Sequence, residues 1–369
     1  MELSQIKLRQ MKMTMKHPFQ TSFGTISDKE FLVIETKDSQ GNTGYGESVA
    51  FTSPWYTEET LQTTIHMIED FFIPLLRKND VSHPKDITDI FSPIRKNNMA
   101  KASIEGSFWD LYAKSKDISL SEALGGSRKT IDVGISIGMK ESIDELIQSI
   151  EQALEIGYKR IKLKIGPGKD IDIIRVVRRQ FPAVPLMVDA NSSYTLDDID
   201  HLKQLDAFDL LMIEQPLGHD DIVDHAKLQK ELLTPICLDE SIHSVDDVRR
   251  AVELGSCKIV NVKIGRVGGL TEAKRIHDYC QKNKIDLWCG GMLEAGIGRA
   301  HNIALTSLTQ FTLPGDTAGS SNYWYEDIIT PEVVVTNGEI SVPQGRGIGY
   351  EINTRVLDRH TVSEKVFTF

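Results

Sequence analysis

The stretch from Ile161 to Gly265 contains IKLK (161–164), LMVD (186–189), LMIE (211–214), ICLD (236–239) and IVNVK (259–263), five apolar runs that each end on a charge. The terminal residues are Lys164, Asp189, Glu214, Asp239 and Lys263, and subtraction of their numbers gives steps of 25, 25, 25 and 24. After each run come a turn and a mixed polar-apolar segment long enough for a helix. A strand, a helix and two loops take about 25 residues, so this is the rhythm of successive βα units. In a closed parallel barrel all strand C-termini open onto one face, and that face carries the chemistry. Five charges on consecutive strand ends therefore converge over one cavity. A lone acidic residue at a strand end is commonly the N-cap of the next helix. Caps scatter by a few residues, whereas these charges keep register on apolar strands. The set reads as an Asp-Glu-Asp cation site between two lysines able to act as bases.

At 369 residues the chain is long enough for a barrel of about 200–250 residues and a second domain. An apolar content of 40% with 26% charged residues is that of an ordinary globular protein. The net charge of −11 argues against nucleic acid, which needs a basic surface. It leaves room for an anionic substrate, which responds to local lysines and a cation. The N-terminal MELSQIKLRQMKM lacks the apolar core of a signal peptide, and no run of about 18 apolar residues occurs. Cys237, Cys257, Cys280 and Cys289 show no CxxC spacing and read as reduced, buried thiols. A cytoplasmic protein with no membrane contact is expected.

Working outward, FLVIETKD and TGYGESVA alternate around Ser39-Gln40-Gly41-Asn42, a hairpin signal. Residues 16–25, KHPFQTSFGT, fit neither period and read as a loop able to close over a ligand. Helices are expected from Thr57 through TEETLQTTIHMIEDFFIPLL, around Pro84–Phe91, and over 99–114. Strands followed by helices before a βα series imply a separate α+β domain. IDVGISIGM (131–139) reads as the first barrel strand, followed by a helix with a Ser142–Glu145 capping box. Its Gly134-Ile135-Ser136-Ile137-Gly138 matches the GxSxG of serine hydrolases, but alternation runs straight through the serine, so Ser136 lies within a strand. DLWCGGM reads as strand seven and FTLPGDT as strand eight, with Asp316 near its end. The tail carries an Asn337-Gly338 hairpin and a glycine-rich PQGRGIGYEI strand. The fold class is α/β: a modified TIM (β/α) barrel over 126–325, an α+β capping domain over 1–125, and a tail, 326–369, returning to the cap.

Three carboxylates without His or Cys make a hard-oxygen site that suits Mg²⁺ or Mn²⁺ and argues against Zn²⁺. A cation there holds a substrate carboxylate and offsets the charge that develops when an α-proton leaves. Lys162 and Lys164 share one face of their strand. Their mutual repulsion and burial are expected to lower their pKa from the usual value of about 10.4. Arg266 stands in a similar relation to Lys263. Gly166-Pro167-Gly168-Lys169 lacks the spacing of a phosphate loop.

These motifs, together with Asp189-Ala190-Asn191, Glu214-Gln215-Pro216, Asp239-Glu240-Ser241 and Gly268-Gly269, resemble the enolase superfamily and its muconate-lactonising subgroup. PFQTSFG, AFTSPWYTEET, GGMLEAGIGRAHN and LPGDTAGSSNYW extend the likeness to the o-succinylbenzoate synthase / N-acylamino acid racemase family. The resemblance implies Asp189, Glu214 and Asp239 as Mg²⁺ ligands, with Lys162, Asn191, Glu240 and Arg266 around them. It implies Lys164 as base in a syn-dehydration giving o-succinylbenzoate for menaquinone biosynthesis, with Lys263 opposite stabilising the enediolate. In a racemase both lysines act, one per enantiomer. Loops 17–26, with Phe19 and Phe23, and 50–58 would close over the acyl group, and Ser136, Gly291 and Met292 would line its pocket. The expected partners are a small-molecule carboxylate and further copies of the chain. Dipeptide epimerase and muconate cycloisomerase would use the same five residues. Epimerases of this group usually carry DxD near strand eight, whereas Asp316-Thr317-Ala318 has one aspartate.

Overall fold

The alternating N-terminal residues form three antiparallel strands, β1 (Leu3–Gln20), β2 (Thr25–Asp38) and β3 (Thr43–Ser48). The computed structural model describes residues 1–20 and 24–369; Phe23 and the side chain of Phe19 lie outside the described part. At the β2–β3 turn the Asp38 carboxylate accepts the Gln40 and Asn42 N–H groups at 3.0 and 2.8 Å, which closes the hairpin. The reading of residues 16–20 as loop is corrected. They continue β1, with Phe19 and Gln20 opposite Ile26 and Thr25, and a register slip between Thr14 and Phe19 absorbs Pro18, which has no N–H to offer.

The helical segments fall at Leu61–Leu76, Lys85–Ile90 and Asn98–Ser115. The first widens into a π turn over Ile68–Phe72, just before Pro74 and its missing N–H. Ile6, Leu8, Leu32 and Ile34 of the sheet pack on Phe72, Phe91, Ile104 and Phe108 of these helices. Asn98–Ser115 lies hard against β3, where a Cβ on Gly46 would stand 2.0 Å from the Ser103 carbonyl. The final strand, Thr361–Thr368, pairs antiparallel with β1, so the tail completes the cap sheet.

The barrel reading needs two corrections. IDVGISIGM is two strands: β4 (Thr130–Asp132) pairs with Glu339–Ser341, and only β5 (Ile135–Ile137) enters the barrel. There it is followed by β6 (Ile161–Lys164), β7 (Leu186–Asp189), β8 (Ile213–Glu214), β9 (Ile236–Leu238), β10 (Ile259–Val262) and β11 (Asp286–Cys289), hydrogen-bonded in that order and parallel throughout. The second correction is FTLPGDT, which is not a strand. Pro314 lacks a donor, and the segment spans the gap with four backbone bonds. Leu313 and Asp316 N–H reach Leu287 and Cys289, while Gly134 N–H reaches Gly315, and Gly315 N–H reaches Asp132.

In the tail, Asn337 and Gly338 have φ of 52° and 73° between mutually bonded Thr336 and Glu339, the geometry of a primed turn. The glycine-rich strand shrinks to Glu351–Ile352, because Gly347 and Gly349 have positive φ. All four cysteines are free and buried. Among the described residues no helix is long and apolar enough to cross a membrane.

Cap and barrel meet at His301, buried in the helix Gly296–Thr306 with its Nε2 unpartnered. Burial outweighs Asp110, lowering its pKa to about 4, with Lys114 acting in the same direction as burial. A depressed histidine contributes stability that is lost as pH falls from its unfolded value near 6.5 toward 4, a difference of about 3 kcal/mol. Thermal unfolding of the wild type is therefore expected to lose more between pH 7 and pH 4.5 than that of His301→Gln. Equal losses would remove this assignment.

Candidate active site at the strand ends

Strand register brings the charges together. Lys164 is paired with Asp189, and Asp189 with Glu214, so three charged residues stand side by side across β6, β7 and β8. Asp239 and Lys263 follow directly on β9 and β10. All three carboxylates are buried. The chain turns sharply just past these ends, where Asn191, Ser192 and Gln215 have positive φ.

Each carboxylate is turned toward a cation of the protein. Lys164 Nζ donates to Asp189 Oδ2 and Asn191 Oδ1, both at 2.6 Å. Lys162 Nζ lies 3.0 Å from Glu214, 3.3 Å from Asp189 and 3.0 Å from Asp316. Lys263 Nζ donates to Asp239 Oδ2 at 2.8 Å and to the Tyr56 hydroxyl at 3.0 Å. Arg266 grips Asp239 Oδ1, the Tyr56 hydroxyl and the Ile242 carbonyl. The expectation of lowered lysine pKa values is corrected for Lys162 and Lys263. Burial pulls both down, but Asp316, Glu214 and Asp189 around Lys162, and Tyr56, Glu240 and Glu214 around Lys263, raise them instead. Burial opposes ionisation of Asp189, yet Lys164 and Lys162 hold it below the usual carboxylate range. Glu214 is raised by burial and by the like charge of Asp189.

Among the described residues, no three Asp, Glu, His or Cys side chains already converge on one point. The residues nonetheless fit a divalent cation. Asp189, Glu214 and Asp239 occupy three adjacent strand ends and offer oxygen alone, and buried Glu240 Oε2 and Asn261 Oδ1 beside them lack any hydrogen-bond partner. Asn191 ties the two sides, donating from Nδ2 to Glu240 and from its backbone N–H to Asp189.

The cavity above is lined by Lys162, Lys164, Asn191, Lys263, Ser136, Gly291, Met292 and Asp316. Ser136 donates to Asp316 Oδ2 at 2.9 Å, a carboxylate that Arg160 and Lys162 hold ionised and that is therefore a weak base for a serine nucleophile. The Phe19 side chain and Phe23 lie outside the described residues; Ile26, Phe51, Trp55 and Tyr56 supply the cap's contribution. Sequence reasoning missed Tyr56, whose hydroxyl meets Lys263, Arg266 and Asp239. Its PWYTEE context has no periodicity, and only its place in the 50–58 loop marked it. Reasoning also missed Arg160, which is buried, pairs with Asp316 and lies 4.9 Å from the Trp288 ring centroid, with Lys162 at 4.8 Å.

Two family descriptions match the chain: "Mandelate racemase / muconate lactonizing enzyme, N-terminal domain" over residues 4–125 and "Enolase C-terminal domain-like" over 145–356. The o-succinylbenzoate synthase of Geobacillus stearothermophilus is 59% identical over 98% of this chain and 96% of its own length. The N-succinylamino acid racemase of Thermus thermophilus is 42% identical over 99% of each chain. A solved structure of an enolase superfamily member from Listeria innocua superposes with a TM-score of 0.97 at 45% identity, covering 100% of this chain and 99% of its own.

The Arg160–Asp316–Lys162 cluster generates a test. Asp316→Asn leaves two buried cations short of a counter-charge, at a cost of about 3 kcal/mol. Denaturant unfolding is expected to show that loss at neutral pH. An unchanged midpoint would mean that the pairing contributes nothing.

Proposed function

From the premise that the chain belongs to the enolase superfamily, of the mandelate racemase / muconate lactonizing type, we propose that it abstracts a proton α to a carboxylate, as an o-succinylbenzoate synthase, an N-succinylamino acid racemase, or both. One observation carries the reading. Lys164 and Lys263 face one cavity from the two ends of a row of three carboxylates.

Asp189, Glu214 and Asp239 would hold a divalent cation, Mg²⁺ or in its place Mn²⁺. When bound, it would offset the negative charge that grows on the substrate carboxylate as the proton leaves. Lys164 Nζ, fixed by Asp189 and Asn191, takes the α-proton, and in the dehydration it returns that proton to the hydroxyl, which leaves from the same face as water. Lys263 Nζ, fixed by Asp239 and Tyr56, presents its ammonium to the opposite face. There it stabilises the enediolate, or in racemisation returns a proton. Phe51 and Trp55 from the cap line the same cavity and would shield the reacting carbon from water. A dipeptide epimerase needs a carboxylate free for the substrate's ammonium; Asp316 is already committed to Arg160, Lys162 and Ser136.

The two-lysine arrangement is tested by isotope exchange. In D₂O, Lys263→Ala is expected to exchange the α-proton of one enantiomer of an N-succinylamino acid, and Lys164→Ala that of the other, while neither variant racemises. One variant exchanging both enantiomers would rule out two bases on opposite faces. Chelation is expected to abolish turnover, and added Mg²⁺ or Mn²⁺ to restore it; full activity in metal-stripped protein would remove the cation from the reading.

A further inference from the structure

Lys29, on β2 of the cap, has its side chain almost wholly buried. Its ammonium donates to two consecutive backbone carbonyls of the barrel, those of Met292 at 3.0 Å and Leu293 at 2.5 Å. Leu293 has φ of 58°, a conformation disfavoured for a side chain branched like leucine's. The rest of this turn is fixed as closely. Met292 N–H donates to Glu294 Oε2, and the Glu294 carbonyl accepts from Arg299 and from the Trp324 indole. Glu47, on β3 of the cap, accepts the Ala295 and Gly298 N–H groups at the start of the next helix and lies 3.9 Å from Lys29.

A buried ammonium is costly where packing alone is required, and a methionine would fill the space. The lysine is instead aimed at backbone that no neighbouring strand serves. That backbone belongs to the turn whose Gly291, Met292 and Leu293 line the cavity holding Lys164 and Lys263. Three residues before Lys29, on the same strand, Ile26 lines the cavity too. One cap strand thus supplies part of the wall and fixes another part. Lys29 does not itself line the cavity, so it acts through Met292 and Leu293.

We propose that Lys29 is a positioning residue: by holding the Met292 and Leu293 carbonyls it sets the cavity wall against which the substrate's acyl group fits, and so governs acyl selectivity. The proposal rests on the acyl-substrate reading given above. Lys164 keeps Asp189 and Asn191 as its partners and Lys263 keeps Asp239 and Tyr56, none of which belongs to this turn.

The experiment compares N-acetyl and N-succinyl derivatives of one amino acid on wild type, Lys29→Met, Lys29→Gln and Glu47→Gln, with kcat, KM and Tm for each. Wild-type turnover of neither derivative, nor of the dehydration substrate, would count against the function proposed above and not against Lys29. With an active wild type, Lys29→Met is expected to raise KM for the N-succinyl substrate about tenfold, with kcat within about threefold and a smaller change for N-acetyl. Lys29→Gln, which retains a donor, is expected to fall between, and it serves as the test if Lys29→Met does not fold. Glu47→Gln leaves the ammonium on the carbonyls and is expected to lower Tm without changing the ratio of the two KM values. A fall in Tm with an unchanged KM ratio in both Lys29 variants would reduce Lys29 to a structural residue. A ratio shifted equally by Glu47→Gln would assign selectivity to the charge pair rather than to the carbonyl clamp.

Discussion

The alignment of like-charged carboxylates on neighbouring parallel strands is the constraint around which this molecule is arranged. Asp189 and Glu214 are register partners, and Asp239 stands at the next strand end. Three buried negative charges this close would repel each other and neutralise unless cations met them. The protein supplies Lys162, Lys164, Lys263 and Arg266 from both flanks. Two of the groups that make the row tolerable, Lys164 and Lys263, are the ones proposed above to handle protons. Stability and chemistry therefore draw on a single cluster, and a bound cation would compete with the lysines for the same oxygens.

The barrel's closure depends on a second cluster. Seven strands are regular, and the eighth position is filled by an irregular segment held by four backbone bonds and by Arg160, which reaches the Pro314 carbonyl and Asp316. Asp316 in turn binds Lys162 and Ser136, so the seam of the barrel is tied directly to the charge row. A regular strand would satisfy more backbone but would not direct Asp316 in this way. The cap is joined through other buried polar groups: Lys29 and Glu47 on the turn after β11, Glu105 on the Leu270 and Thr271 N–H groups, and Tyr56 on Asp239 and Lys263. Cap and barrel therefore share the cavity's walls and its hydrogen bonds.

The sequence by itself determined the βα rhythm, because an apolar run ending on a charge every 25 residues fixes both the strands and what stands at their ends. Lys164, Asp189, Glu214, Asp239 and Lys263 were legible for that reason, as were the β2–β3 hairpin turn and the Ser142 cap, where Ser142 Oγ accepts the Glu145 N–H. These are local signals, carried by neighbouring residues and by side-chain periodicity. Only the tertiary structure decided what depends on distant contacts. Residues 16–20 carry no strand pattern, yet Phe19 and Gln20 find partners on β2, whereas FTLPGDT carries one but Pro314 leaves it irregular. Tyr56, Arg160 and Lys29 have no repeat to announce them, since each acts on residues more than 130 positions away. The lysine pKa values went the same way: the sequence shows Lys162 beside Lys164, and only the fold shows how many carboxylates surround Lys162. Spacing along a chain records which residues share a strand face, but the balance of charge in a buried site depends on what other strands bring to it.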